Sequence, residues 1–180
     1  MYSLNKKLSN KHLGNVIASR DGVKYLTFDR EHGYSLMELM ITVAIVGLLV
    51  SIAYPSYSSF IASSNRAAGQ ADLMAFAAAM ERHNAAVFSY QGAASGGGNT
   101  GEPEVFRSYS PSNEPAANKR YDLTIQTVSA TGTSYILRAR PVSGTVQVDD
   151  GDLFYYSDGR KAWDSNNDGS ISINEFCWRC

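Results

Sequence analysis

From Tyr34 to Tyr54 the chain reads YSLMELMITVAIVGLLVSIAY, an apolar run of 21 residues with one charge, Glu38. At helical rise such a run covers about 30 Å, the thickness of a bilayer core. Beyond Pro55 the apolar residues Tyr57, Phe60, Ile61, Ala67, Ala68, Ala71, Ala75 and Ala78 recur at intervals of three and four to about Ala86. This predicts one long helix. Its first half faces lipid or other subunits, and its second half lays an apolar stripe over a sheet. Met74, Phe76 and Met80 beside that stripe read as core. Residues 91 to 120 are rich in glycine, serine, proline and asparagine and predict a long, mobile, exposed connection. Period-two patterning then returns at Tyr121, Leu123, Ile125 and Thr127, at Tyr135, Leu137 and Ala139, at Val146 and Val148, and at Leu153 and Tyr155. Turn signals at Thr131-Gly132, Ser143-Gly144, Asp149-Asp150-Gly151 and Asp158-Gly159 make an antiparallel meander the economical connection.

The expected class is therefore α+β: a long N-terminal helix, transmembrane in its first half, packed on a four-stranded antiparallel sheet with a C-terminal loop. The expected boundaries are 1–33 for a leader, 34–54 for the apolar half-helix, 55–87 for the amphipathic half and 88–120 for the exposed connection. The sheet takes 121–163 and the C-terminal loop 164–180. Such a length suits one compact domain plus an anchor. Sixteen basic and 17 acidic side chains leave a formal net charge of -1, so no overall field draws the chain to nucleic acid or an acidic surface. Upstream of Tyr34, Lys6, Lys7, Lys11, Arg20, Lys24 and Arg30 give a positive bias that holds this end in the cytoplasm and sends the rest outward. Ala53, Tyr54 and Pro55 do not make a good site for an ordinary signal peptidase.

Glu38 is the unusual residue, because a carboxylate within an apolar helix costs about 2.5 to 3.5 kcal/mol on permissive insertion scales. Two readings stand. Cleavage between Gly33 and Tyr34 would place a new α-amine about one helical turn away, able to pair with Glu38 of the same or a neighbouring subunit. Alternatively, Glu38 sits near the interface and snorkels.

The segment Gly33-Tyr34-Ser35-Leu36-Met37-Glu38-Leu39-Met40 runs into an apolar stretch that contains Gly47 and closes at Ala53-Tyr54-Pro55-Ser56-Tyr57. It resembles the N-terminal signature of type IV pilins, and the layout of the remainder is similar to the minor pilins. The resemblance implies a pilin-like fold, cleavage after Gly33 by a prepilin peptidase, and N-methylation of the Tyr34 amine. It also implies that Glu38 aligns an entering subunit and that Gly47 to Pro55 lose helical order in the assembled filament. The implied partners are other major and minor pilins and the assembly platform of the inner membrane. The implied location is that membrane, with the head in the periplasm, and afterwards the extracellular filament. Two departures accompany it. Tyr34 stands where the family most often has phenylalanine, and the leader is long, with a less basic end at Asp29-Arg30-Glu31-His32.

Asp164-Ser165-Asn166-Asn167-Asp168-Gly169-Ser170-Ile171-Ser172-Ile173-Asn174-Glu175 fits the twelve-residue EF-hand loop at each required position. Asp164, Asn166 and Asp168 offer side-chain oxygens and Gly169 permits the sharp turn. Ser170 offers its carbonyl, Ser172 acts directly or through water, and Glu175 closes the site. A weak calcium site that orders the C-terminus is expected. The competing reading is a polar turn that matches by composition. Cys177 and Cys180 have a spacing that meets disulfide distances in a tight turn of an exported chain. A redox Cys-x-x-Cys normally sits at a helix start, which this terminus lacks.

His12, His32 and His83 form no metal-ligand pattern, and no Gly-x-Ser-x-Gly or His-Glu-x-x-His is present, so the chain is not read as an enzyme. The glycines near residue 97 lack the Gly-Lys-Ser/Thr of a phosphate loop. Nucleic acid is not indicated, since the head shows no basic, aromatic-interleaved stretch beyond Lys119-Arg120-Tyr121. The expected function is a minor type IV pilin supporting twitching, adhesion or DNA uptake. A type II secretion pseudopilin and a single-pass calcium-binding adhesin or receptor are the alternatives. Translation from Val23 would leave an 11-residue leader with Lys24 and Arg30. Edman sequencing of unprocessed protein should therefore start at that position, and recovery of Met1 would refute the shorter leader.

Overall fold

The computed structural model describes residues 33–179, so the predicted leader up to His32 and the second cysteine, Cys180, lie outside the described residues. The described residues form helix α1 (Leu36–Val87) and strands β1 (Tyr109–Ser110), β2 (Tyr121–Val128), β3 (Tyr135–Pro141), β4 (Leu153–Tyr156) and β5 (Lys161–Trp163). The chain divides into two compact units at Leu49/Val50. In the first unit the apolar side chains of α1 face outward: Leu36, Met37, Leu39, Met40, Val43, Leu48 and Leu49 are each more than half exposed. An 18-residue stretch of α1 is long and apolar enough to cross a membrane, and none of it is buried.

In the second unit the strands pair antiparallel in the order β1-β2-β3-β4-β5, a meander in which every neighbour in space is a neighbour in sequence. Alternation sends Tyr121, Leu123 and Ile125 of β2, Tyr135, Leu137 and Ala139 of β3, and Leu153 of β4 to one buried face. The register steps from Ile125↔Leu137 to Thr127↔Ile136, a bulge at Gln126. Val128 rather than Thr127 therefore sits opposite Tyr135 and packs on the core.

The helix covers that face, though with a different stripe from the expected one. Gly69, Leu73, Phe76, Ala77 and Met80 are buried, whereas Ala67, Ala71, Ala75 and Ala78 are exposed. Both sets have helical spacing, so periodicity alone did not distinguish them. Side-chain size does: burying Leu73, Phe76 and Met80 is worth about 1.5–3 kcal/mol each, against much less for an alanine. Met74 is 45% exposed and leaves the expected core set. Gly69 marks a close approach of helix to sheet, since a Cβ there would lie 3.2 Å from the Tyr121 ring.

Two further expectations are corrected. Val146 and Val148 do not form a strand. Residues 144–149 are turns, with Val148 N–H donating to the Thr145 carbonyl at 3.3 Å. Gln147 between them is fully buried, while both valines are exposed. Its Nε2 donates to the Ala62 carbonyl at 3.0 Å and to the Tyr121 hydroxyl oxygen at 2.7 Å. Five strands result because β5 and the two-residue β1 are added, and β1 lies inside the segment expected to be a structureless connection. That segment also supplies core: Tyr90, Ala93 and Ala94 are buried, and the Phe106 ring stacks on Phe76 at 5.4 Å. Glycine composition signalled the turns there but not that the intervening residues join the core.

Gly151 adopts a φ of +76° against β5, and a Cβ there would overlap the Asp164 carbonyl oxygen. Gly144 has the same φ of +76° with nothing within 4 Å. Gly144→Ala should cost about 1–2 kcal/mol through φ alone, and Gly151→Ala distinctly more in thermal unfolding. Equal losses would show that the Gly151–Asp164 contact is not tight.

Candidate functional site

Three polar anchors set the head against α1. Arg66 chelates Asp150, with Nε at 2.9 Å and Nη2 at 2.5 Å, and its guanidinium lies 3.8 Å from the Trp163 ring centroid. Asp150 also accepts from the Tyr121 hydroxyl at 2.5 Å. The bond to Asp150 raises the Arg66 pKa, and burial raises that of Tyr121, so the charged arginine and the neutral phenol are both favoured. Asp72 accepts from Ser110 Oγ at 2.6 Å and from the backbone N–H of Ser112 at 2.9 Å. Glu81 accepts from the Tyr90 hydroxyl at 2.8 Å and the Tyr135 hydroxyl at 3.0 Å.

At the start of the apolar unit, Gly33 and Tyr34 precede α1, and Ser35 begins it as a cap, its Oγ accepting from Glu38 N–H at 3.1 Å. Tyr34, Glu38, Leu39 and Thr42 line one small hollow, so the predicted new amine position and the carboxylate share a surface. Helix α1 continues through Gly47 and Pro55. Pro55 removes one backbone donor, and Ser58 Oγ donates to its carbonyl at 2.9 Å.

The C-terminal loop is held by its own side chains. Asp164, 2% exposed, accepts from Asp168 N–H at 3.1 Å and Gly169 N–H at 2.9 Å. Asn166 Oδ1 accepts from Asp168 N–H, and Asp168 Oδ1 from Ser170 N–H. Glu175, 5% exposed, accepts from Ser165 N–H at 3.0 Å and Ser172 N–H at 2.9 Å, closing a capping box on the single turn Ile173–Glu175. These bonds, that from Ser172 foremost, hold the Glu175 pKa below the usual carboxylate range. The donor set is all oxygen, which suits a hard cation. Among the described residues, however, no three His, Cys, Asp or Glu side chains are gathered so as to hold a metal ion. The Glu175 carboxylate accepts from the loop amides of Ser165, Asn166 and Ser172. The pairing of Cys177 with Cys180 involves a residue outside the described ones.

Sequence reasoning passed over a cluster at the β4–β5 hairpin. Arg160 lies 4.8 Å from the Tyr156 ring centroid and 5.4 Å from that of Phe176, and Lys161 lies 4.8 Å from that of Trp178. Tyr155 packs beside Trp178, whose Nε1 donates to the Ala162 carbonyl at 3.2 Å. The signal was present in Tyr155-Tyr156 and Arg160-Lys161, but the partner rings Phe176 and Trp178 are far away in sequence.

An exposed apolar helix with an acid beside its start, continuing into a helix-on-meander head, defines a membrane-anchored α+β subunit of the pilin type. A family described as type IV minor pilin ComP, DNA uptake sequence receptor, matches residues 55–152, and the prokaryotic N-terminal methylation motif matches residues 29–54. The chain belongs to this type IV minor pilin family. Two relatives from Dichelobacter nodosus, a type IV major fimbrial protein FimA and a fimbrial protein, are each 49% identical over 39 residues. That is 22% of this chain and 24% of theirs, so the chain spans about a quarter of the length of the curated relatives it matches. No solved structure matches.

Proposed function

We propose that this minor pilin is cut after Gly33, N-methylated on Tyr34, and held by residues 34–54 in the inner membrane with its head in the periplasm. A prepilin peptidase makes that cut, and an assembly platform brings the subunit into a filament with other major and minor pilins. The observation that carries this reading is the coincidence of the methylation motif with an unburied apolar helix whose Glu38 shares a hollow with Tyr34. In that arrangement a new α-amine neutralises a carboxylate that is costly in lipid. The exposed stripe Ala67, Ala71, Ala75 and Ala78 gives a neighbouring helix a smooth surface to approach. The role is structural, without a catalytic step. The family description supports a DNA-contacting head, a partner that composition alone did not indicate. Mass spectrometry of isolated protein should find Tyr34 as a methylated first residue, and Glu38→Ala should strongly reduce incorporation into filaments. An intact Gly33–Tyr34 bond in functional protein overturns the reading and favours a single-pass receptor.

The C-terminal loop is proposed as a weak calcium site, with Asp164, Asn166, Asp168, Ser170, Ser172 and Glu175 as donors and the Cys177–Cys180 bridge closing the terminus. Binding requires Glu175 to exchange amide partners for the ion, consistent with a Kd of about 10⁻⁴ to 10⁻³ M for an isolated extracellular loop. Calorimetric titration should show one such site, abolished by Asp164→Asn. An unchanged heat and melting temperature up to millimolar calcium identifies a self-sufficient polar turn.

A further inference from the structure

From Tyr34 onward the chain holds ten basic and fourteen acidic side chains, so a polyanion meets net repulsion unless cations are locally concentrated. Many of the cations are spent in ion pairs: Arg66 with Asp150, Lys119 with Asp122, and Arg138 with Asp152. The hairpin and C-terminal segment differ. Arg160 and Lys161 stand there, with exposed Arg179 next in sequence to Trp178, and among the described residues the one carboxylate within ion-pair distance of these three is Asp158. That pair is exposed, with side chains 58% and 54% accessible, and contributes little against solvent and salt. The neighbouring Glu175 carboxylate is buried and committed to backbone amides.

The aromatic rings give this cluster its chemistry. Tyr156 and Phe176 lie 5.8 Å apart by ring centroids, and the Arg160 guanidinium sits over both. A guanidinium held against ring faces is fixed in orientation while its N–H edge remains available for a planar oxyanion. The ion pair to Asp158 runs through Nε at 2.7 Å, which leaves the terminal amino groups directed elsewhere. Lys161 is held over Trp178 in a similar way, and Trp178 is itself anchored by Ala162 and by Gln70 Nε2, which donates to its carbonyl at 3.3 Å. Pre-ordered cations on an aromatic ridge suit a repeating phosphate backbone.

We infer that the β4–β5 hairpin and the C-terminal segment form a phosphate-contacting ridge for duplex DNA, with Arg160, Lys161 and Arg179 as the contacting cations. This rests on the DNA-contacting reading above and assigns it to residues beyond 152, where the family match ends. Phe176, Tyr156 and Trp178 act as positioning residues, holding the cations rather than reading bases. Sequence preference, where present, arises elsewhere on the head.

The test is fluorescence anisotropy of a labelled duplex with the mature full-length protein in detergent, across a salt series. Arg160→Ala/Lys161→Ala should weaken binding at least about tenfold and flatten the log–log salt dependence by about two. The charge-matched control Lys119→Ala/Arg120→Ala should stay within about twofold. Absence of wild-type binding at any salt removes the DNA reading itself. Wild-type binding that the ridge variant retains, or that the control variant loses instead, overturns the ridge and leaves DNA contact standing. Acetylation of Lys161 in unaltered protein, read by mass spectrometry, tests the same contact without substitution. Bound duplex should protect this lysine, and equal labelling with and without DNA counts against the ridge.

Discussion

The head depends on one contact: the face of α1 that carries Gly69, Leu73, Phe76 and Met80 against the inward side chains of β2, β3 and β4. Gly69 lets the helix approach the Tyr121 ring, and the three large side chains then exclude water from the sheet. The polar groups follow from that placement. Arg66, Asp72 and Glu81 stand along the same helix and reach, respectively, the loop before β4, the β1 region, and the tyrosines of the connecting segment and β3. Each joins helix to head through a charge-assisted hydrogen bond. Tyr121 takes part in both layers, with its ring under Gly69 and its hydroxyl shared by Asp150 and Gln147.

The same helix meets opposite demands in its two units. In the head it needs few but large side chains on one face. In the apolar unit nearly every position is exposed and aliphatic, which suits surroundings that are lipid or other helices rather than water. Glu38 is costly in such surroundings, and it lines one hollow with Tyr34, Leu39 and Thr42. In the proposed function, processing and anchoring are linked through that electrostatic cost. The fold of the head does not enter into it, so the head is free to vary for its own contacts.

The C-terminal residues illustrate how one sequence pattern supports different physics. The loop from Asp164 to Glu175 has the oxygen donors of a cation site, yet those oxygens accept from the loop's own amides. A loop so satisfied holds its shape before any ion arrives. It also carries the chain back along β5, which brings Phe176 and Trp178 to Arg160 and Lys161.

By itself the sequence determined the apolar anchor, the Gly33-Tyr34 and Glu38 signature, the α+β class and three of the strands, because each is written in local period or in adjacent residues. Tertiary structure decided which helical stripe is buried, since alanines and large side chains recur with one spacing and only the volume beneath the helix chooses between them. It also decided that Gln147 turns inward while its valine neighbours do not, because the partners at Ala62 and Tyr121 are distant in sequence. For the same reason the connecting segment became part of the core and the aromatic–cationic cluster formed. Both depend on long-range contacts that no local pattern encodes.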